Sequence, residues 1–251
     1  MDINTKIAIL GTGNIGTSIA SGLLASGSLS PENMILTRRK INLLDSFKSE
    51  NVQISNDNIQ AVQNSKVIII AVEPQQIDTL LDEIASVVNP KEHIFISIVT
   101  GVSTNQIKSK LGNDAIVVRA MPNTAISIGE SMTCLCSDRN NSTAIEIATA
   151  IFDTLGHTII IEEELMSSAT ALGACGIAFF LRAIRAASQG GIEIGFNAEK
   201  ALKIAAQTAK GAATLLLQNK EHPEFEIDKV TTPRGVTISG LNQMEHQGFS
   251  S

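Results

Sequence analysis

The hexapeptide GTGNIG, residues 11–16, constrains this chain more than any other stretch. It follows the apolar, β-branched run KIAIL (residues 6–10) and opens a segment of small and aliphatic residues with helical spacing from Asn14 to Ala25. A bare G-x-G-x-x-G is a weak signal, because glycine-rich turns are common. Between a strand and a helix it becomes the dinucleotide-binding fingerprint. Gly11 permits the tight turn, Gly13 the close approach of a pyrophosphate, and Gly16 the packing of helix on strand. The amides of Gly13, Asn14 and Ile15 then face the anion at the positive end of the helix.

The alternation continues along the chain. NMILT (33–37), KVIIIAV (66–72), HIFISIV (93–99), AIVVRAM (115–121) and HTIII (157–161) read as strands, and 66–72 is apolar enough to be buried on both faces. Between them lie helical patterns, among them 77–88 and one opened by a Ser103/Gln106 capping box. Such alternation predicts an α/β fold with a doubly wound, mostly parallel, Rossmann-like sheet. Cys134 and Cys136, two apart, are expected on one face of a further strand. At the end of the second predicted strand, where an NAD site usually places a carboxylate, the chain has Thr37, Arg38, Arg39 and Lys40. That favours NADP, since a guanidinium can fork onto a 2′-phosphate; a solvated basic turn is the alternative.

Strands stop after residue 161. From the acidic triplet at 162–164, suited to a helix N-terminus, Ala-, Leu- and Ile-rich helical patterns run to about residue 218. The predicted organisation is therefore residues 1–161 as a dinucleotide-binding domain and 162–251 as a helical domain. The apolar faces of the second domain suit either a dimer contact or a buried central helix. A formal net charge of −6 without a dense Lys/Arg stripe argues against nucleic acid or an anionic membrane as the main partner. The start lacks a signal-peptide pattern and unbroken apolar runs are short, so a cytoplasmic protein is expected. Three cysteines and four histidines show no metal-ligand spacing, and no metal site is predicted.

Residues 228–241, DKVTTPRGVTISGL, crowd hydroxyls, a proline and two glycines around one arginine. Pro233 and Gly235 suit a turn, while loop amides and hydroxyls next to a helix start suit a small anion.

Taken with ILGTGNIGTSIASGL (9–23), AVEPQQ (71–76), VVRAMPNTAISIGE (117–130), ALGACGIAFF (171–180) and ASQGGIEIGF (187–196), this segment resembles the pyrroline-5-carboxylate reductase family over nearly the whole chain. The resemblance implies a C-terminal all-helical dimerisation domain, of the 6-phosphogluconate dehydrogenase C-terminal-like kind, that interlocks with a partner chain. Larger rings of dimers occur in such a family. It implies reduction of a cyclic imine carboxylate to L-proline with NADPH, or with NADH. Arg38, Arg39, Asn58, Ala71, Val72, Pro74, Met121, Pro122 and Asn123 would join the glycine loop around the coenzyme. Thr232, Gly235, Val236 and Thr237 would hold the substrate, with the Thr237 hydroxyl reaching the imine nitrogen in the catalytic role. A threonine hydroxyl is a poor general acid near neutrality, so it is read as an orienting hydrogen-bond donor.

The chain departs from the family pattern at Glu73, at residues 173–177 and at Arg234, which leaves room for a different cyclic imino acid. A weakly catalytic NADP-binding module is the remaining alternative. A β-hydroxyacid dehydrogenase is disfavoured, since no lysine lies between residues 162 and 189.

Overall fold

The β-branched runs become the strands of one sheet. The computed structural model describes residues 5–137 and 142–249. Among these, β1 (Ile7–Leu10), β2 (Met34–Thr37), β3 (Gln53–Ser55), β4 (Val67–Ile70), β5 (Ile94–Ser97), β6 (Ile116–Met121), β7 (Ser131–Ser137) and β8 (Gly156–Ile160) form a single sheet in the order β3-β2-β1-β4-β5-β6-β7-β8. The first six run parallel. β7 turns back antiparallel to β6, and β8 lies parallel to β7.

Side-chain alternation sends each central strand into two cores. Ile7 and Ile9 of β1 face one cluster with Val67 and Ile69 of β4, while Ala8 and Leu10 face another with Ile68 and Ile70. Burial on both faces is why these strands read as continuous apolar runs rather than as alternating ones.

The helices are α1 (Asn14–Ala25), α2 (Asp45–Lys48), α3 (Asn58–Gln63), α4 (Ile77–Ile84), α5 (Thr104–Leu111), α6 (Ser142–Asp153), α7 (Met166–Ala169), α8 (Gly176–Glu193), α9 (Ala198–Asn219), α10 (Pro223–Val230) and α11 (Val236–His246). The bounds of α1 are those expected, and the Ser103/Gln106 capping box opens α5. α4 is shorter than its pattern: it ends at Ile84 and a 3-10 turn takes Ala85–Val87. β3 is unpredicted, being a three-residue edge strand of mixed polarity.

Two compact units emerge, Met1–Ile177 and Ala178–Ser251. The change of sequence texture at 161/162 precedes this division because the next residues pack on the sheet. Met166 is buried with Met121, Cys134 and Cys136, which share one face as expected. Glu163 accepts hydrogen bonds from Thr104 N (2.8 Å) and Arg119 Nη1 (3.0 Å). Between α7 and α8 the backbone widens into a π-helical turn, Thr170–Cys175.

The 31 helical residues Glu163–Glu193 are, by length and composition, apolar enough to cross a bilayer, with mean hydropathy 1.5 in an 18-residue window. The expectation that no segment reaches that length considered unbroken apolar runs only. Polar and small residues interrupt the run without interrupting the helix.

In the second unit, α8 and α9 approach closely: a Cβ on Gly191 would lie 3.1 Å from the Ala201 Cβ. Among its described residues only Ser188 and Ala201 are buried, while Phe179, Phe180 and Leu217 are about two-thirds exposed or more, at 67%, 70% and 70%. Apolar helices left this open are incomplete without a covering surface.

Candidate functional site

The sheet order reverses between β1 and β4, the place where open α/β sheets bind ligands at the carboxyl ends of their strands. The glycine loop sits there. Gly11 has a φ of +87°, and a Cβ on it would collide with Val72 Cγ1. Its amide and that of Thr12 both donate to the Thr37 carbonyl, at 3.2 and 2.9 Å, as does the Thr12 hydroxyl at 3.1 Å. Thr12 is fully buried, so this middle residue, which the fingerprint leaves unspecified, clamps the loop to the end of β2.

Gly16 is a packing glycine: a Cβ there would meet Gly11 O at 2.9 Å, and Ala71 Cβ and Ile9 Cγ2 at 3.4 Å. Gly13 is different. Its Cβ would meet no protein atom within 4 Å, so protein packing does not explain a glycine at this position. α1 begins immediately after it with no side-chain cap, leaving first-turn amides without intrahelical partners. Open space in front of uncapped amides suits an anionic group.

A cleft of about 780 Å³ opens beside this loop, within the usual range for a small-ligand site. Gly11, Gly13, Arg38, Arg39, Asn58, Ala71 and Val72 line it, and a smaller adjoining depression adds Asn14 and Ile15. Among the described residues neither Arg38 nor Arg39 forms an ion pair, so both guanidinia are available to a ligand. Glu73 also lines both depressions and accepts a hydrogen bond from Gln75 Nε2.

Other predicted coenzyme residues lie outside this cleft. Gly16 is buried in the first turn of α1, and Pro74 starts a 3-10 turn, Pro74–Gln76. Met121 and Pro122 are buried where β6 ends. Asn123 caps the next turn by accepting from Ala125 N (3.0 Å) and donates from Nδ2 to Gly173 O (3.3 Å). The unusual segment at 173–177 is thereby tied, through the π-helical turn, to the loop after β6. π-Helical turns frequently mark functional positions.

Buried Arg119 and Thr104 form a network with half-buried Glu163. Burial pushes the Glu163 carboxyl up, but hydrogen bonds from Thr104 and Arg119 outweigh it and hold it below its ordinary value of 4.5. The acidic triplet thus does more than complement a helix dipole. Its central member ties the helical segment to β6.

In the second unit, Thr232, Pro233, Arg234 and Gly235 form a turn closed by Gly235 N donating to Thr232 O (2.9 Å). The left-handed residue is Arg234, at φ +61°, whereas Gly235 has φ −74°. Gly235 is required by proximity instead, because a Cβ on it would strike Thr232 Oγ1. Val236 and Thr237 open α11, which also lacks a side-chain cap. Thr237 is half-buried, and among the described residues its hydroxyl has no hydrogen-bond partner.

Comparison with known proteins places the two halves. Residues 6–101 match the family model described as NADP oxidoreductase coenzyme F420-dependent, and residues 163–251 match pyrroline-5-carboxylate reductase dimerisation. The chain is 52% identical over 257 residues to pyrroline-5-carboxylate reductase 1 of Dictyostelium discoideum, covering 98% of this chain but 46% of that protein, so it spans about half the relative's length. It is 48% identical to pyrroline-5-carboxylate reductase 2 of the same organism, covering 99% of this chain and 88% of the relative. A crystal structure of Plasmodium falciparum pyrroline carboxylate reductase with NADP bound superposes with a TM-score of 0.88 at 25% identity, covering 99% of this chain and 92% of that one. With relatives this similar over its whole length, the chain belongs to the pyrroline-5-carboxylate reductase family.

Proposed function

We propose that this protein reduces 1-pyrroline-5-carboxylate to L-proline with NADPH, and less readily with NADH, as a cytosolic homodimer joined through residues 163–251. The observation that carries the coenzyme half is Gly13, whose missing Cβ serves nothing in the protein and opens onto uncapped amides at the start of α1. Arg38 and Arg39, without ion pairs among the described residues, suit a 2′-phosphate. When bound, the coenzyme supplies the hydride, and the protein supplies binding, orientation and electrostatics.

The substrate half rests on residues 232–237. Uncapped amides at the start of α11 and the Thr232 hydroxyl suit a carboxylate. The Thr237 hydroxyl, lacking a partner among the described residues, can donate to the imine nitrogen and orient the ring. Since the ring must sit within about 3–3.5 Å of the hydride donor, small errors in this orientation are costly. The exposed apolar side chains of the helical unit are assigned to the subunit contact rather than to a membrane.

A second reading is favoured by one observation. Arg234 occupies a left-handed position normally given to glycine, beside the proposed carboxylate site, and its bulk and charge could select another cyclic imino acid. Coenzyme oxidation followed at the nicotinamide absorbance, with pyrroline-5-carboxylate and its six-membered homologue, separates the readings. Faster turnover of the five-membered imine with NADPH is expected. Preference for the six-membered ring would favour the second reading, and no turnover of the five-membered imine would overturn the first. Thr237→Ala should lower kcat about 10–100-fold with the coenzyme Kd unchanged.

A further inference from the structure

The cleft beside the glycine loop contains a carboxylate that neither the fingerprint nor the end of β2 announces. Glu83, on the last turn of α4, lines the same cleft as Arg38 and Arg39. It accepts a hydrogen bond from Asn58 Nδ2 at 3.0 Å, and Asn58 Oδ1 accepts one from the Thr37 hydroxyl at 2.6 Å. Thr37 is buried, and its carbonyl is the acceptor that clamps Gly11 and Thr12.

Glu83 determines how this chain is polarised. An ionised carboxylate only accepts, so the Asn58 amide nitrogen must face Glu83 and its oxygen must face Thr37. A threonine hydroxyl can donate or accept, so without Glu83 the Asn58 carboxamide could turn over at little cost. One hydrogen on Asn58 Nδ2 then remains for a ligand in the cleft. Glu83 keeps further lone pairs and, among the described residues, forms no ion pair with Arg38, Arg39 or Lys40.

We propose that Glu83 is a coenzyme-selectivity residue: by fixing Asn58 and placing a negative charge in the arginine-lined cleft, it moderates the preference for a 2′-phosphorylated dinucleotide and keeps the site open to the 2′-hydroxyl form. The inference rests on the proposed coenzyme role of this cleft. Two effects act in the same direction. The carboxylate repels a phosphate carrying close to two charges, and it can accept a hydrogen bond from a ribose hydroxyl. Glu83 is solvent-exposed, so the repulsion is screened and the effect is moderate.

The test is calorimetric titration of the full-length wild type and Glu83→Gln with NADPH and with NADH, without substrate, at low and high salt. Glutamine retains an acceptor for Asn58 and removes the charge; because its amide can also donate, it no longer forces the Asn58 orientation, so both effects of the carboxylate are lost together. The Kd ratio, NADH over NADPH, should rise about fivefold in Glu83→Gln at low salt, and this gain should shrink as salt approaches 0.5 M, as expected of a screened charge on the order of 10 Å or less from the phosphate. Thr37→Val, which frees the Asn58 oxygen and leaves all charges in place, should weaken both coenzymes by similar factors. An unchanged ratio in Glu83→Gln, or equal changes for both coenzymes, overturns the assignment. If the wild type binds neither coenzyme, the proposed function fails and the inference with it.

Discussion

Gly13→Ala separates a ligand-determined glycine from a packing glycine. The added Cβ meets no protein atom within 4 Å, so the cost to the ligand-free protein is limited to the poorer N-cap preference of alanine, about 1 kcal/mol. For a chain of this size that lowers Tm by roughly 2–4 °C. With coenzyme the methyl occupies the space before the first-turn amides. Losing one or two charge-assisted hydrogen bonds at about 1.5–3 kcal/mol each weakens binding about 10-fold to more than 1,000-fold. Gly16→Ala reverses the pattern, because its Cβ would lie 2.9 Å from the Gly11 carbonyl, a backbone atom that cannot swing away. It should destabilise the ligand-free protein by about 1–3 kcal/mol. Thermal melts of both variants with and without NADPH read the two effects separately. A Gly13→Ala protein that melts like the wild type and retains the full NADPH-induced rise in Tm would refute the anion-site reasoning.

Arg38→Ala combined with Arg39→Ala should weaken NADPH at least tenfold while leaving NADH within about threefold, read by titration calorimetry. Arg234→Gly relieves a left-handed residue at a cost in unfolded-state entropy, so denaturant unfolding should show a net gain of about 0.5–1 kcal/mol; destabilisation by a similar amount would remove the strain argument. Cys136, whose thiol burial and then Glu163 push up to about 11, and buried Cys134 should resist thiol reagents at pH 8 until the protein is unfolded. The folded pKa of Glu163 lies below its unfolded value, so its stabilising contribution is present above about pH 4.5 and is lost as pH falls through the folded pKa. The stability gap between wild type and Glu163→Gln should therefore narrow on acidification below that pH, and a gap that stays constant would show that the carboxylate charge is not what anchors the helix.

The sequence disclosed elements whose signals are local. The span of α1 follows from its spacing and the glycine before it, and the α5 cap from Ser103 and Gln106 alone. The central strands were legible because burial on both faces left them apolar without interruption. β3 was not, because three residues at a sheet edge carry too little pattern, and neither was the antiparallel direction of β7, which is set by pairing with β6 rather than by its own residues. The turn at 232–235 was legible as a turn, but its positive φ falls on arginine, where propensity would place glycine.

The same distinction explains which parts of the proposed coenzyme cleft could be read in advance. Gly11 and Gly16 answer to close contacts and Gly13 to the proposed anion, each through the backbone of its own neighbourhood or the strand beside it, so spacing alone points to them. Glu83 lies 25 residues from Asn58 and reaches it only because α4 packs along the cleft after β4. A carboxylate there has no signature in the sequence, since the rule for coenzyme choice examines the end of the second strand. With the proposed roles, selectivity in this cleft is the sum of a local term, from Arg38 and Arg39, and a tertiary term of opposite sign from Glu83. A reading confined to the strand end would overstate the preference for the phosphorylated coenzyme by the factor that Glu83→Gln is expected to restore.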